Sequence, residues 1–177
     1  MSRRLQPAPR PALLLAGVAA VVTAACRDLP FEPQDPQRVT YAPALNITLV
    51  QFTALPSGVY YRDLAVGSGA LVETTSTVGV SYKGYLTDGH AFDSTATNAS
   101  ATFLLLNTVP GFRNGLAGAR QGSRRQLIIP PAQGYGNRTA GGNKIPAGSV
   151  LIFDINVNSV TTPVDTTTKT SRAPSQP

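Results

Sequence analysis

The stretch Leu151-Ile152-Phe153-Asp154-Ile155-Asn156-Val157-Asn158 has an apolar residue at every odd position and, from Asp154 onward, a polar one at every even position. Two is the period of a pleated strand, so this run should bury one face and wet the other. Val78, Val80 and Tyr82 alternate with Gly79, Ser81 and Lys83 in the same way. Residues 126–129 form a short β-rich run stopped by Pro130-Pro131, because proline cannot donate to a ladder. Residues 59–66 and 71–72 read as further strands, punctuated by Gly67-Ser68-Gly69, and Thr87-Asp88-Gly89 reads as a turn. Only residues 111–119 offer a helical face, through Phe112, Leu116 and Ala119. Gly115 and Gly118 make that helix short and dependent on packing. Strands, one short helix, then strands predict an α+β domain with a mostly antiparallel sheet.

The two ends of the chain have different compositions. Arg3, Arg4 and Arg10 precede an apolar run over residues 12–25, shorter than the roughly 20 residues a membrane span needs. This pattern predicts a signal peptide over residues 1–25. The run ends in Thr23-Ala24-Ala25-Cys26, with the chain's single cysteine after small residues. That ending resembles a bacterial lipobox, although Thr23 stands where an aliphatic residue is usual. The resemblance implies lipidation of Cys26 and a membrane-anchored protein facing the periplasm or cell surface. Asp28 is second after Cys26 rather than first, which favours the outer membrane. The alternative is ordinary cleavage near Ala25 and secretion. Residues 26–44 are proline-rich and read as a tether with little stable structure. Residues 161–177, rich in Thr, Ser and Pro, read as a disordered tail. One folded domain is expected over residues 45–160.

The chemistry open to this domain is narrow. One Cys and one His exclude a disulfide framework and argue against a metal site. His90 lies in a turn, where a solvated histidine is the ordinary case. No glycine-rich phosphate loop is present. The net charge is +6, but half of that excess is Arg3, Arg4 and Arg10, and no basic stripe points to nucleic acid. No cofactor is expected. Arg124-Arg125 reads as a solvated edge that discourages aggregation.

What remains is an aromatic and aliphatic set spread over the domain. It comprises Tyr82 to Ser94 (with Tyr82, Phe92 and Asp93), Phe103, Val109-Pro110-Gly111-Phe112, Gly134-Tyr135-Gly136, and Ile145-Pro146 running into Phe153-Asp154. In this order the motifs resemble the FK506-binding-protein family of peptidyl-prolyl cis-trans isomerases, from about residue 55 to residue 160. The resemblance implies an antiparallel sheet wrapped around one short helix, with an apolar pocket between them. It implies that Tyr82, Phe92, Asp93, Phe103, Val109, Phe112, Tyr135, Ile145 and Phe153 line that pocket. Phe112 stands where the family usually has Trp, which implies a smaller floor and weaker binding of macrolide inhibitors.

The resemblance further implies that Asp93, Tyr135 and Tyr82 carry the catalysis. The Ile145 backbone N–H would hold the carbonyl before proline, and the Tyr135 hydroxyl would make one positioning hydrogen bond. Asp93 would either orient Tyr82 or polarise the twisted carbonyl carbon. Phe103 and Phe153 read equally well as plain core. The implied partners are proline-containing polypeptides and, through the anchor, a membrane; a monomer is expected. A chaperone or adaptor that holds peptides with little turnover is the alternative function, and an idle pocket on a structural lipoprotein is a third.

Overall fold

The computed structural model describes residues 32–163. The expected signal peptide, Cys26 and the expected tail beyond residue 163 lie outside the described residues. Seven strands form one antiparallel sheet: β1 (Thr53–Ala54), β2 (Tyr60–Ala65), β3 (Thr77–Tyr85), β4 (Ala91–Ser94), β5 (Ala101–Leu104), β6 (Arg124–Ile129) and β7 (Leu151–Thr161). The order across the sheet is β1-β2-β6-β7-β3-β4, and β5 pairs with the first half of β3. One helix, α1 (Pro110–Leu116), packs against β6.

The period-two reading places β3 and β7, and the β-rich run over residues 126–129 lies within β6. β7 runs three residues beyond the alternating stretch, so Thr161 pairs with Thr77 instead of opening a disordered tail. Residues 71–72 form no strand; Leu71 makes an isolated bridge to Arg120. β1, β4 and β5 are too short to show a period of their own and take shape on the longer strands beside them.

The sheet carries apolar layers on both faces. Val78 and Val80 of β3, Leu127 of β6 and Ile155 of β7 meet Leu116 of α1 in the main core. Gly111 lets the helix come close, because a Cβ there would sit 2.2 Å from Ile129 Cγ2. On the far face Leu45, Phe52, Ile128, Val150 and Ile152 form a second buried cluster, with Tyr41, Ile47 and Leu49 at its margin.

This second cluster corrects the tether reading. Residues 34–44 pack on the domain: Pro36 is buried, and the Gln34 N–H donates to Gly148 O (2.9 Å). The Ala42 N–H donates to Thr87 O (2.8 Å), and the Tyr41 hydroxyl donates to Pro36 O (2.8 Å). Ile128 and Ile152 sit on the sheet face that otherwise carries polar residues. Covering them outweighs the entropy of ordering a proline-rich segment whose φ angles are already restricted.

Arg125 is a second correction. It is only 4% exposed and lies on an inner strand, since β6 pairs with both β2 and β7. Its guanidinium donates to both Asp63 carboxylate oxygens (2.6 and 2.8 Å) and to Gly115 O and Ala117 O at the end of α1 (2.9 and 3.1 Å). A charge this deep needs such full pairing, and here the pairing also satisfies the last carbonyls of the helix. Arg124 alone of the pair is exposed.

Candidate active site

A cavity of about 300 Å³ opens between α1 and the sheet. Its lining comes from four strands and the helix: Tyr82 from β3, Phe92 and Asp93 from β4, Phe103 from β5, Phe112 from α1 and Phe153 from β7. Asn107, Thr108 and Val109 supply the rim before the helix, and Tyr135 the opposite rim.

Five ring contacts join this wall. Phe153 is central, with its centroid 5.3 Å from Phe112, 5.5 Å from Phe92 and 6.1 Å from Tyr82. Phe103 closes the circuit, 6.0 Å from Phe112 and 5.9 Å from Tyr82. The Phe153 pairs with Phe92 and Phe112 are edge-to-face, the arrangement that aromatic quadrupoles favour. Gly84 of β3 makes the seating possible: a Cβ there would come within 2.6 Å of the Phe92 ring and 3.0 Å of Phe153. Phe92, Phe112 and Phe153 are all buried, so core and cavity wall are one structure.

The polar groups are few and already placed. The Tyr82 hydroxyl donates to Asp93 Oδ2 (2.5 Å), and Asp93 Oδ1 accepts from the Ser94 N–H (2.9 Å). Burial, then the hydrogen bond and the charge of Asp93, hold Tyr82 well above the usual tyrosine pKa. Tyr82 is therefore a neutral, fixed donor, and orienting it is the role of Asp93 that the geometry supports. Tyr135 is 37% exposed, and its hydroxyl has no partner among the described residues.

Eight of the nine residues expected at the pocket line this cavity. Ile145 does not. It is 2% exposed in the main core, and its N–H donates to Ala140 O (3.1 Å), closing the turn that contains Gly141-Gly142. That N–H is spent within the loop and cannot hold a substrate carbonyl. The Val109 N–H, on a residue that lines the cavity, has no acceptor among the described residues. Asn107, also missed from the sequence, is exposed on the rim. Its only signal was its place two residues before Val109.

Residues 69–158 match the family model described as FKBP-type peptidyl-prolyl cis-trans isomerase. A probable FKBP-type isomerase of Haemophilus influenzae is 34% identical over 130 residues, covering 73% of this chain and 52% of that protein. FkpA of Escherichia coli is 36% identical over 105 residues, covering 59% of this chain and 38% of its own length. This chain thus spans about half or less of these curated relatives. Among solved structures, a Pseudomonas syringae peptidyl-prolyl cis-trans isomerase superposes with a TM-score of 0.58 at 29% identity, covering 63% of this chain and 81% of that one. The crystal structure of E. coli FkpA gives 0.58 at 34% identity, covering 63% and 52%. The cavity, the sheet around α1 and these matches lead to one conclusion: the chain belongs to the FKBP-type peptidyl-prolyl cis-trans isomerase family.

Proposed function

We propose that this protein accelerates rotation about X-Pro bonds in exported polypeptides. The observation that carries the reading is the closed circuit of aromatic rings around a cavity of about 300 Å³, large enough to admit a proline side chain. Rotation about a peptide C–N bond faces a barrier of about 18–20 kcal/mol from amide resonance, and uncatalysed X-Pro isomerisation takes tens to hundreds of seconds. No covalent bond need form or break. A catalyst must only bind the twisted amide more tightly than either planar isomer.

Burying the proline ring among Phe92, Phe112 and Phe153 contributes roughly 25 cal/mol per Å² of apolar area. At the twisted geometry nitrogen loses conjugation and the amide dipole falls, so a water-poor wall favours that state over the planar ones. The Val109 N–H, without an acceptor among the described residues, is our candidate to receive the carbonyl before proline, and the Tyr135 hydroxyl our candidate to bind the peptide at the opposite rim. Tyr82, fixed by Asp93, gives the wall a rigid polar edge.

The charged start, the short apolar run and Cys26 support export and a lipid anchor in the cell envelope, with proline-containing clients that fold there. The full-length protein should speed a protease-coupled Ala-Leu-Pro-Phe peptide reaction and a proline-limited refolding phase. Rates equal to the uncatalysed ones in both assays overturn the isomerase reading. Incorporation of labelled palmitate that is lost in Cys26→Ser tests the anchor separately.

A further inference from the structure

The Tyr135 rim is tied to the N-terminal segment by a short series of backbone hydrogen bonds. Gly136, the residue after Tyr135, donates its N–H to Pro131 O (2.9 Å), and its carbonyl accepts from the Gly148 N–H (2.8 Å). Gly148 O in turn accepts from the Gln34 N–H (2.9 Å). The Gln34 side chain completes the connection, with Oε1 accepting from the Val150 N–H (2.8 Å). Gln34 thus bonds both sides of Ser149, at the point where the loop after Tyr135 returns to β7. Downstream it is held by the burial of Pro36 and by the Tyr41 hydroxyl on Pro36 O.

In its middle the loop is held by Ile145, buried in the main core, and by the Ala140–Ile145 bridge. The Arg138 N–H donates to Tyr135 O (3.3 Å), the Lys144 N–H to Gly141 O (3.4 Å) and the Ser149 hydroxyl to Pro146 O (2.7 Å). Gly136, Gly141, Gly142 and Gly148 all have positive φ, a conformation that glycine adopts without steric cost but loses entropy to keep. Ile145 holds the middle of the loop, and Gln34 bonds both sides of the point where it rejoins β7. Neither the core nor the catalytic reading uses this residue.

We propose that Gln34 is a positioning residue for the isomerase site. Its amide oxygen and backbone N–H clamp the base of the loop, and through Gly148 and Gly136 they set where Tyr135 stands over the cavity. The segment that leads in from the anchor end of the chain is then part of the site's frame. The effect on turnover rests on the isomerase reading above, whereas the clamp itself does not.

The test uses the full-length protein with Gln34→Ala and Gln34→Glu. The carboxylate of Gln34→Glu can still accept from the Val150 N–H. In Gln34→Ala, amide exchange at Gly148 and Val150 should quicken at least tenfold while exchange in the middle of β3 and β7 stays unchanged. KM for an X-Pro peptide should rise several-fold with a smaller change in kcat, and Gln34→Glu should restore both readouts. Unchanged exchange at Gly148 and Val150 in Gln34→Ala overturns the clamp. Faster exchange with unchanged KM overturns the positioning role. If the unsubstituted protein has no isomerase activity, the functional reading fails, and the exchange experiment still decides the clamp.

Discussion

At the residue scale, the Val109 N–H and Arg125 make the sharpest claims. Val109 has φ −58° and follows Thr108 in extended backbone, so a proline fits at position 109 without strain. Val109→Pro removes the N–H, whereas Val109→Ala removes only side-chain bulk. If that N–H binds the substrate carbonyl, kcat/KM should fall about 3- to 10-fold further in Val109→Pro than in Val109→Ala, the equivalent of one hydrogen bond of about 1 kcal/mol. Equal losses in the two variants count against the role. Arg125→Met leaves Asp63 and two helix-end carbonyls without their donor and should cost about 3 kcal/mol in urea unfolding, at the low end for a broken buried pair because Asp63 is partly exposed. The sequence hid both features. Arg124-Arg125 looks like a charged edge until β2 is placed beside β6, and a free N–H leaves no mark on composition. Tyr82, Phe92, Asp93 and Phe112 were legible because their motifs keep a fixed order along the chain, whereas Ile145 misled because its motif marks a loop closure instead of the cavity.

At the element scale, the period-two strands were legible and the covering segment was not. β3 and β7, antiparallel neighbours in the sheet, announce themselves because apolar and polar residues alternate along each. Residues 41–52 hold a single proline, Pro43, and Leu45, Ile47 and Leu49 alternate with Asn46 and Thr48 as in a strand, yet the segment folds as two short 3-10 turns, Pro43–Leu45 and Leu49–Gln51. The available sign was indirect, because Ile152 is apolar at a position where the alternation calls for a polar residue. Phe52→Ala should lower stability by about 3 kcal/mol through the cavity it opens against Ile128 and Ile152. The candidate site lies on the other face of the sheet, so kcat/KM for the proposed isomerisation, measured well below the melting temperature, should stay within about twofold of the original. A large loss of turnover in the folded variant would show that the two faces are coupled.

At the scale of the whole molecule, the raised tyrosines set the alkaline limit. Burial comes first among the causes for Tyr82, Tyr41 and Tyr85, and each is raised above its usual value of 10.0. The unfolded chain ionises these groups near pH 10 while the folded protein keeps them protonated. Their contribution is therefore complete below pH 10 and is lost as pH rises toward the folded values. The urea midpoint should hold steady to about pH 9.5 and then drop, and Tyr82→Phe should flatten that drop. An identical decline in Tyr82→Phe would remove Tyr82 from the account.

The far-face cluster also decides what proteolysis near the start of the domain does. A protease that cuts ahead of Pro33 leaves the sheet covered and Gln34 bonded to Gly148 and Val150. One that cuts just after Phe52 strips Leu45 and Phe52 away and bares Ile128, Val150 and Ile152 as a contiguous greasy strip, the kind of surface on which released domains adhere to one another.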